Sequence, residues 1–407
     1  MFVNLLLKIS EQFNEVRLVF DRYIAHSLKS RTRKKRTSGD EVRYKISDTA
    51  HIGNTSLKQL LGHIETKQDL TIYLSKYAKQ AFEDKSIDFA ITYDKITETN
   101  LENFPDELRN HDHEEADTLL ILHAIDVAKK DLFTECFILS PDTDVFLLLI
   151  YYHESLPLVT FFRTGKGNDK RDINIRDCYE ALGLNRAAAI LGFHVLTGCD
   201  QTGRFSGKSK STWWKFFMKA EDYVLHALSK LGEREDLPDL ITLEHIEHFI
   251  VNAYGDGKKT CEITTLSQLR WFLFSKYQYH ALQLPPTMSA LKYKIFRSHY
   301  ICMTLRKSNV GLQNLPPAQN YGWELNGLTL DPILTDNLPA PLALIELSVC
   351  GCKGDCSTNR CKCFKNNLIC TDMCKCTSCV NNDSSDNINL DDDLNSDSDS
   401  DDDIDYY

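Results

Sequence analysis

A chain of 407 residues, 42 % hydrophobic and 26 % charged, can bury one large core, or two domains with an appendage. Its net charge of −11 is set by one end: residues 381–407 hold eleven Asp and no Lys or Arg, and residues 1–380 carry 47 charges of each sign, so global charge argues neither for nor against a nucleic-acid partner. No run approaches the ~20 apolar residues of a membrane helix, and the N-terminus has neither the apolar length nor the cleavage site of a signal peptide. These features predict an intracellular, reducing location, where the fourteen cysteines are not a disulfide framework.

In chain order, MFVNLLLKISEQFNEV reads as helix-like, and Val16, Leu18, Val19 and Phe20 form a β-rich stretch that ends at Asp21. Residues 27–43 then pack Lys29, Arg31, Arg33, Lys34, Lys35 and Arg36 together, a basic segment suited to phosphate contacts and to nuclear localisation. HDHEEADTLLILHAIDVAKK places Glu114, Glu115 and Asp117 in the first turn of a helix, where the macrodipole favours acids. Its two leading histidines, His111 and His113, lack a metal-ligand pattern and read as surface or core residues. Phe137, Ile138 and Leu139 form a strand that ends in Asp142 and Asp144. Acids at the C-terminal end of a buried strand lie where open α/β sheets bind ligands. On extended backbone the i, i+2 spacing points both side chains the same way, and carboxylates that close raise each other's pKa unless a cation intervenes. A hydrophobic helix next runs into Asp200, followed by Gly203-Arg-Phe-Ser-Gly207-Lys208-Ser209-Lys210. Lys208 and Lys210 are candidate phosphate contacts, but three residues between the glycines rule out a P-loop, which needs four.

The order FD, EAD, PDTD, GLN…GCD resembles the flap-endonuclease group of 5′-nucleases in the PIN-like superfamily, over residues 14–215. The resemblance implies an α/β fold with a central, mostly parallel sheet flanked by helices over residues 1–210. It also implies a catalytic cluster made of Asp21, Glu115, Asp117, Asp142, Asp144 and Asp200. Two Mg²⁺ or Mn²⁺ ions ~4 Å apart would then serve phosphodiester hydrolysis, and hard oxygen ligands suit those ions. In this family residues 27–43 would be an arch that steers a phosphate backbone. The family's first acid-bearing strand has no counterpart here, so the fold should show a gap or a substitute strand in its place. The rival expectation is a non-catalytic nucleic-acid-binding protein that keeps the fold, with a possible origin in a mobile element.

Residues 211–315 read as a helical extension. TWWKFFMKAEDYVLHALSKL puts Trp213, Phe216, Phe217, Val224, Leu228 and Leu231 near one face of a core-facing helix. Five of the eleven prolines fall between Pro316 and Pro341, which predicts an extended linker over 316–345.

Residues 346–380 hold nine cysteines: Cys350, Cys352, Cys356, Cys361, Cys363, Cys370, Cys374, Cys376 and Cys379. An odd number cannot all pair as disulfides. Nine thiolates supply the twelve ligand positions of about three tetrahedral Zn²⁺ when three of them bridge, and so short a segment with so little apolar residue folds only with metal. The spacing resembles the tesmin-type CXC module, which implies a DNA partner. Arg360, which stands where that family often has tyrosine, and Lys353, Lys362, Lys365 and Lys375 are the candidate DNA contacts; the alternative is a zinc-stapled protein-interaction knob. The tail 381–407 is acidic and expected to be disordered.

Overall fold

A computed structural model describes residues 2–24, 27–29, 42–49, 51, 53, 55–130, 133, 135–157, 159–165, 167–256, 263–279, 281–338, 349–366, 368–371, 374–377 and 379–381. Arg31, Arg33, Lys34, Lys35 and Arg36, and the acidic tail beyond residue 381, lie outside them. The chain forms two compact units, residues 1–335 and 336–407.

The first unit is mixed α/β and contains two three-stranded sheets. Helix α1 (Phe2–Ser10) leads into β1 (Glu15–Val19), and the long α2 (Ile64–Asp84) returns the chain to β2 (Asp88–Tyr93), which pairs parallel to β1. Five of six residues of β2 are buried, so it is the inner strand, and β3 (Ile96–Thr99) closes that sheet antiparallel. Helix α3 (Ala116–Lys130) crosses to β4 (Glu135–Leu139). Helix α4 (Thr143–Tyr151) then links β4 to the parallel β5 (Val159–Thr164), and β6 (Arg171–Asn174) is antiparallel to β5. Parallel neighbours with a helical crossover are what apolar strands followed by 3.6-period segments produce.

One continuous central sheet, the expected arrangement, is not found. β1 and β4 each hydrogen-bond a single neighbour, and the two sheets stay separate among the described residues. Among the described residues the strand register offers no partner between them.

Helices α5 (Ile175–Leu182), α6 (Leu184–Thr197), α7 (Lys210–Met218), α8 (Asp222–Lys230), α9 (Leu240–Gly255), α10 (Leu266–Tyr277) and α11 (Met288–Arg306) build the remaining core with α4. α6 and α8 pack so closely that a Cβ on Gly192 would lie 2.1 Å from the Leu228 carbonyl oxygen, so only glycine fits there. The segment read as one amphipathic helix is two, α7 and α8, because the chain turns at 219–221. Trp213, Phe217, Val224, Leu228 and Leu231 are fully buried, as its apolar face requires.

The expected linker also begins later than Pro316. Residues 316–335 fold onto the first unit: Ala318, Tyr321 and Trp323 join its core, and β7 (Trp323–Asn326) and β8 (Thr329–Pro332) form a hairpin. Buried Arg297 donates Nη1 to the Gly322 carbonyl at 3.2 Å and to the Ile333 carbonyl, which ties the hairpin to α11. Pro316 and Pro317 precede the hairpin and Pro332 is the last residue of its second strand; Pro339 and Pro341 lie outside the described residues.

No helix among the described residues is long and apolar enough to cross a membrane.

Candidate metal centres

Four short devices bring the acids of the first unit together. Asp21 follows β1 and accepts the Ala116 N–H at 2.8 Å, so it caps α3 and fixes where that helix begins. This sets Glu115 just ahead of α3 and Asp117 in its first turn. Only Asp142 is on extended backbone, with φ −89° and ψ 127°; Asp144 is helical. Asp142 is the N-cap of α4 and accepts the Asp144 N–H at 2.8 Å, while Asp144 lies in the helix's first turn. A cap turns the chain where the strand ends, so the two carboxylates converge by helix geometry rather than by strand alternation. Gly198, with a φ of +121°, ends α6 and releases Cys199 and Asp200 into a turn closed by Cys199 and Thr202.

Carboxylate oxygens of Asp117, Asp142 and Asp144 all lie within 4.8 Å of one another. Glu115 and Asp200 meet at Lys29, whose ammonium is 2.8 Å from Glu115 and 4.0 Å from Asp200. Gln201 donates Nε2 to the other Glu115 oxygen at 2.7 Å. Asp21, Asp142 and Asp200 are exposed, and Glu115, Asp117 and Asp144 are half-buried, so the cluster opens to solvent on one side.

The electrostatics follow from this crowding. Burial, with Asp142 and Glu115 alongside, pushes Asp117 up to about 8. Burial likewise raises Glu115 to about 7 even though Lys29 pulls it down. Asp142 is raised by burial and by Asp144 and Asp200. Asp144 goes the other way. Burial would raise it, but His194 Nε2, 2.9 Å from its Oδ1, together with Lys29 and Lys210, holds it low. Three convergent carboxylates, two of them with raised pKa, form a hard-oxygen donor set that fits a divalent cation.

His194 is the site residue the sequence concealed. It lies inside the hydrophobic run of α6, is 6 % exposed, and neither ring nitrogen makes a hydrogen bond, Nε2 meeting Asp144 Oδ1 at 2.9 Å without hydrogen-bond geometry. No local spacing marks it; only the fold carries it to Asp144.

Two lysines read as phosphate contacts have other work. Lys210 donates to the carbonyls of His194 and Gly198 at 2.6 and 2.7 Å, so it caps the C-terminus of α6, where a cation meets the helix dipole. Lys29 is tied into the carboxylates with only 16 % of its side chain exposed, rather than free on an arch. Lys208 lies 5.4 Å from the centre of the Tyr254 ring. His111 and His113 are buried; His113 bonds Thr118 and the Val310 carbonyl, each at 2.8 Å.

Among the described residues of the second unit, cysteines form the core: Cys350, Cys356, Cys361, Cys363 and Cys370 are buried, and Cys352, Cys374, Cys376 and Cys379 pack against them. Neighbouring sulfurs are 3.8 Å (Cys350–Cys356), 3.9 Å (Cys350–Cys370), 3.7 Å (Cys361–Cys370) and 3.7 Å (Cys363–Cys374) apart. A disulfide needs ~2.05 Å, whereas a tetrahedron with Zn–S bonds of ~2.3 Å has edges of about 3.8 Å. The spacing is that of thiolates sharing metal. Four overlapping groups of four include all nine cysteines; Cys350 and Cys370 each belong to three groups, and Cys356, Cys361 and Cys376 to two each. Such shared positions are where bridging thiolates would sit. Arg360, Lys362 and Lys365 are exposed around this core, with Lys362 and Lys365 on the short helical turn that follows Cys361.

No protein-family model, curated protein or solved structure matches this chain.

Proposed function

We propose that the first unit is a PIN-like, flap-endonuclease-like domain that hydrolyses phosphodiester bonds of nucleic acid with Mg²⁺ or Mn²⁺. We propose further that the second is a tesmin-type CXC module that carries about three Zn²⁺ and holds the protein on DNA in the nucleus. The observation that carries the reading is the meeting of Asp117, Asp142 and Asp144, from two helix starts, within 4.8 Å. The three lie up to 27 residues apart in the sequence, and the starts of two different helices bring them together. When bound, a divalent cation polarises a phosphodiester toward attack by water. Asp117, Asp142 and Asp144 would hold it, His194 keeps Asp144 ionised and oriented, and Asp21 and Gln201 position the start of α3 and Glu115. The sulfur spacing supports the zinc half of the reading, and the exposed Arg360, Lys362 and Lys365 support its contact with phosphates.

The test is cleavage of flap, single-stranded and duplex DNA and of RNA by the full chain with Mg²⁺ or Mn²⁺, beside a variant carrying Asp142→Asn and Asp144→Asn. Metal-dependent cleavage that the double variant loses is the expected result. Nucleic-acid binding without cleavage in the parent would leave the non-catalytic reading standing.

A further inference from the structure

Six acids surround the opening, but only three of them converge on a common point. The other three are already engaged. Asp21 accepts the Ala116 N–H, Glu115 is divided between Lys29 and Gln201, and Asp200 lies 4.0 Å from the Lys29 ammonium. Two-metal sites need a second ion ~3.5–4 Å from the first, with carboxylates of its own. The two acids able to supply it, Glu115 and Asp200, have a lysine between them instead.

Lys29 is not a loose side chain that happens to reach the cluster. The segment before it is tied down twice by Glu114: the Arg22 N–H donates to its carbonyl at 2.8 Å, and Ser27 Oγ donates to its carboxylate at 2.7 Å. Leu28 packs against the main core. Lys29 and Glu115 each expose 16 % of their side chains, so the pair is mostly withdrawn from water. Separating a buried pair leaves an uncompensated charge and costs several kcal/mol, which opposes entry of an ion in the lysine's place. A fixed ammonium beside a single-ion site also offers a phosphodiester two positive charges, one from the metal and one from the protein.

We infer that Lys29 stands where the second cation of a two-metal nuclease would lie, so that the carboxylate cluster takes one divalent ion. The inference rests on the metal-centre reading of Asp117, Asp142 and Asp144. It concerns how many ions bind, which that reading leaves open.

The test is the number of Mn²⁺ ions bound by the full-length protein, its cysteine module first loaded with Zn²⁺. Free Mn²⁺ is followed by electron paramagnetic resonance and the stoichiometry checked by calorimetry. The wild-type protein should bind one Mn²⁺ at the cluster. Lys29→Ala, which uncovers Glu115 and Asp200, should bind two, and Lys29→Arg should return the count to one. Two ions in the wild type, or one ion in Lys29→Ala with its circular dichroism unchanged, would overturn the inference and leave the metal centre intact. No ion in any form would overturn the metal centre itself. If Lys29→Ala does not fold, Lys29→Met replaces it, and the wild-type count still decides.

Discussion

Asp117→Asn should make the metal-free protein more stable while it removes the metal's effect. The folded protein raises the Asp117 carboxyl from 3.8 to about 8. A carboxyl with a raised folded pKa holds its proton more tightly folded than unfolded. Stability is therefore highest below the unfolded value and is lost as pH rises toward about 8. Each unit is worth about 1.4 kcal/mol, so at pH 7 the burden is about 4 kcal/mol in the limit of full burial. Water at this half-buried side chain cuts that to about 2 kcal/mol. For a unit of 335 residues, an unfolding entropy of ~2.1 cal/mol/K per residue makes this about 3 °C in Tm. The assay is thermal unfolding of the full chain in chelator-treated buffer without divalent ions, at pH 5 and pH 7. Asn keeps the shape and removes the charge, so the variant should melt about 3 °C higher at pH 7 and gain only about a third of that at pH 5. Added Mn²⁺ should raise the Tm of the parent and leave the variant unmoved. A variant that melts lower than the parent at pH 7, or gains equally at both pH values, would refute the reasoning.

Three other outcomes follow from the same structure. Metal analysis of the full chain should return close to three zinc ions, and strong chelation should unfold the second unit, read as lost protection of its amides from hydrogen exchange, because cysteines form its core among the described residues. His194→Ala should raise the Asp144 pKa, so that protons compete with the metal and Mn²⁺ affinity falls several-fold more steeply below pH 7 than in the parent; calorimetry across pH 5.5–8 reads the difference. Replacing Arg360, Lys362 and Lys365 with Ala should reduce the salt slope of duplex binding by up to about three counterions, and an unchanged slope would place the phosphate contacts elsewhere.

The acids of the cluster were legible because each sits at the boundary of an apolar element: Asp21 after β1, Asp117 at the start of α3, Asp142 and Asp144 between β4 and α4. The nine cysteines were legible because thiolates in such numbers have few other physical uses. What the sequence hid was non-local. Pairing of β1 and β4 depends on partners far along the chain, so two separate sheets and one broad sheet carry the same local pattern. Lys29 looked like one of six basic residues in a solvated run, and the anchoring of the segment ahead of it by Glu114 is a contact far along the chain. The 323–332 hairpin was legible: Gly327-Leu328 is the two-residue loop between paired Asn326 and Thr329, and Gly327 takes the positive φ that a type II′ turn requires at its first central position. Pro316 and Pro317 drew the reading toward a linker, although Trp323 beyond them needed a core to enter.

The open edges of β1 and β4 have a consequence for behaviour in concentrated solution. An unpaired edge is a template on which another chain can add a strand. Both edges are only five residues long, and β1 carries a charge cluster turned inward. Arg17 is bound to Glu15 and Asp126 at 2.6 Å each and to the His123 carbonyl at 3.1 Å, with 8 % of its side chain exposed. An incoming strand would have to accommodate that locked cluster beside its own backbone, which disfavours recruitment. Arg17 thus fastens β1 to α3, and a neutral residue there would leave the buried Asp126 and Glu15 side chains without it at this strand edge, at a cost in stability.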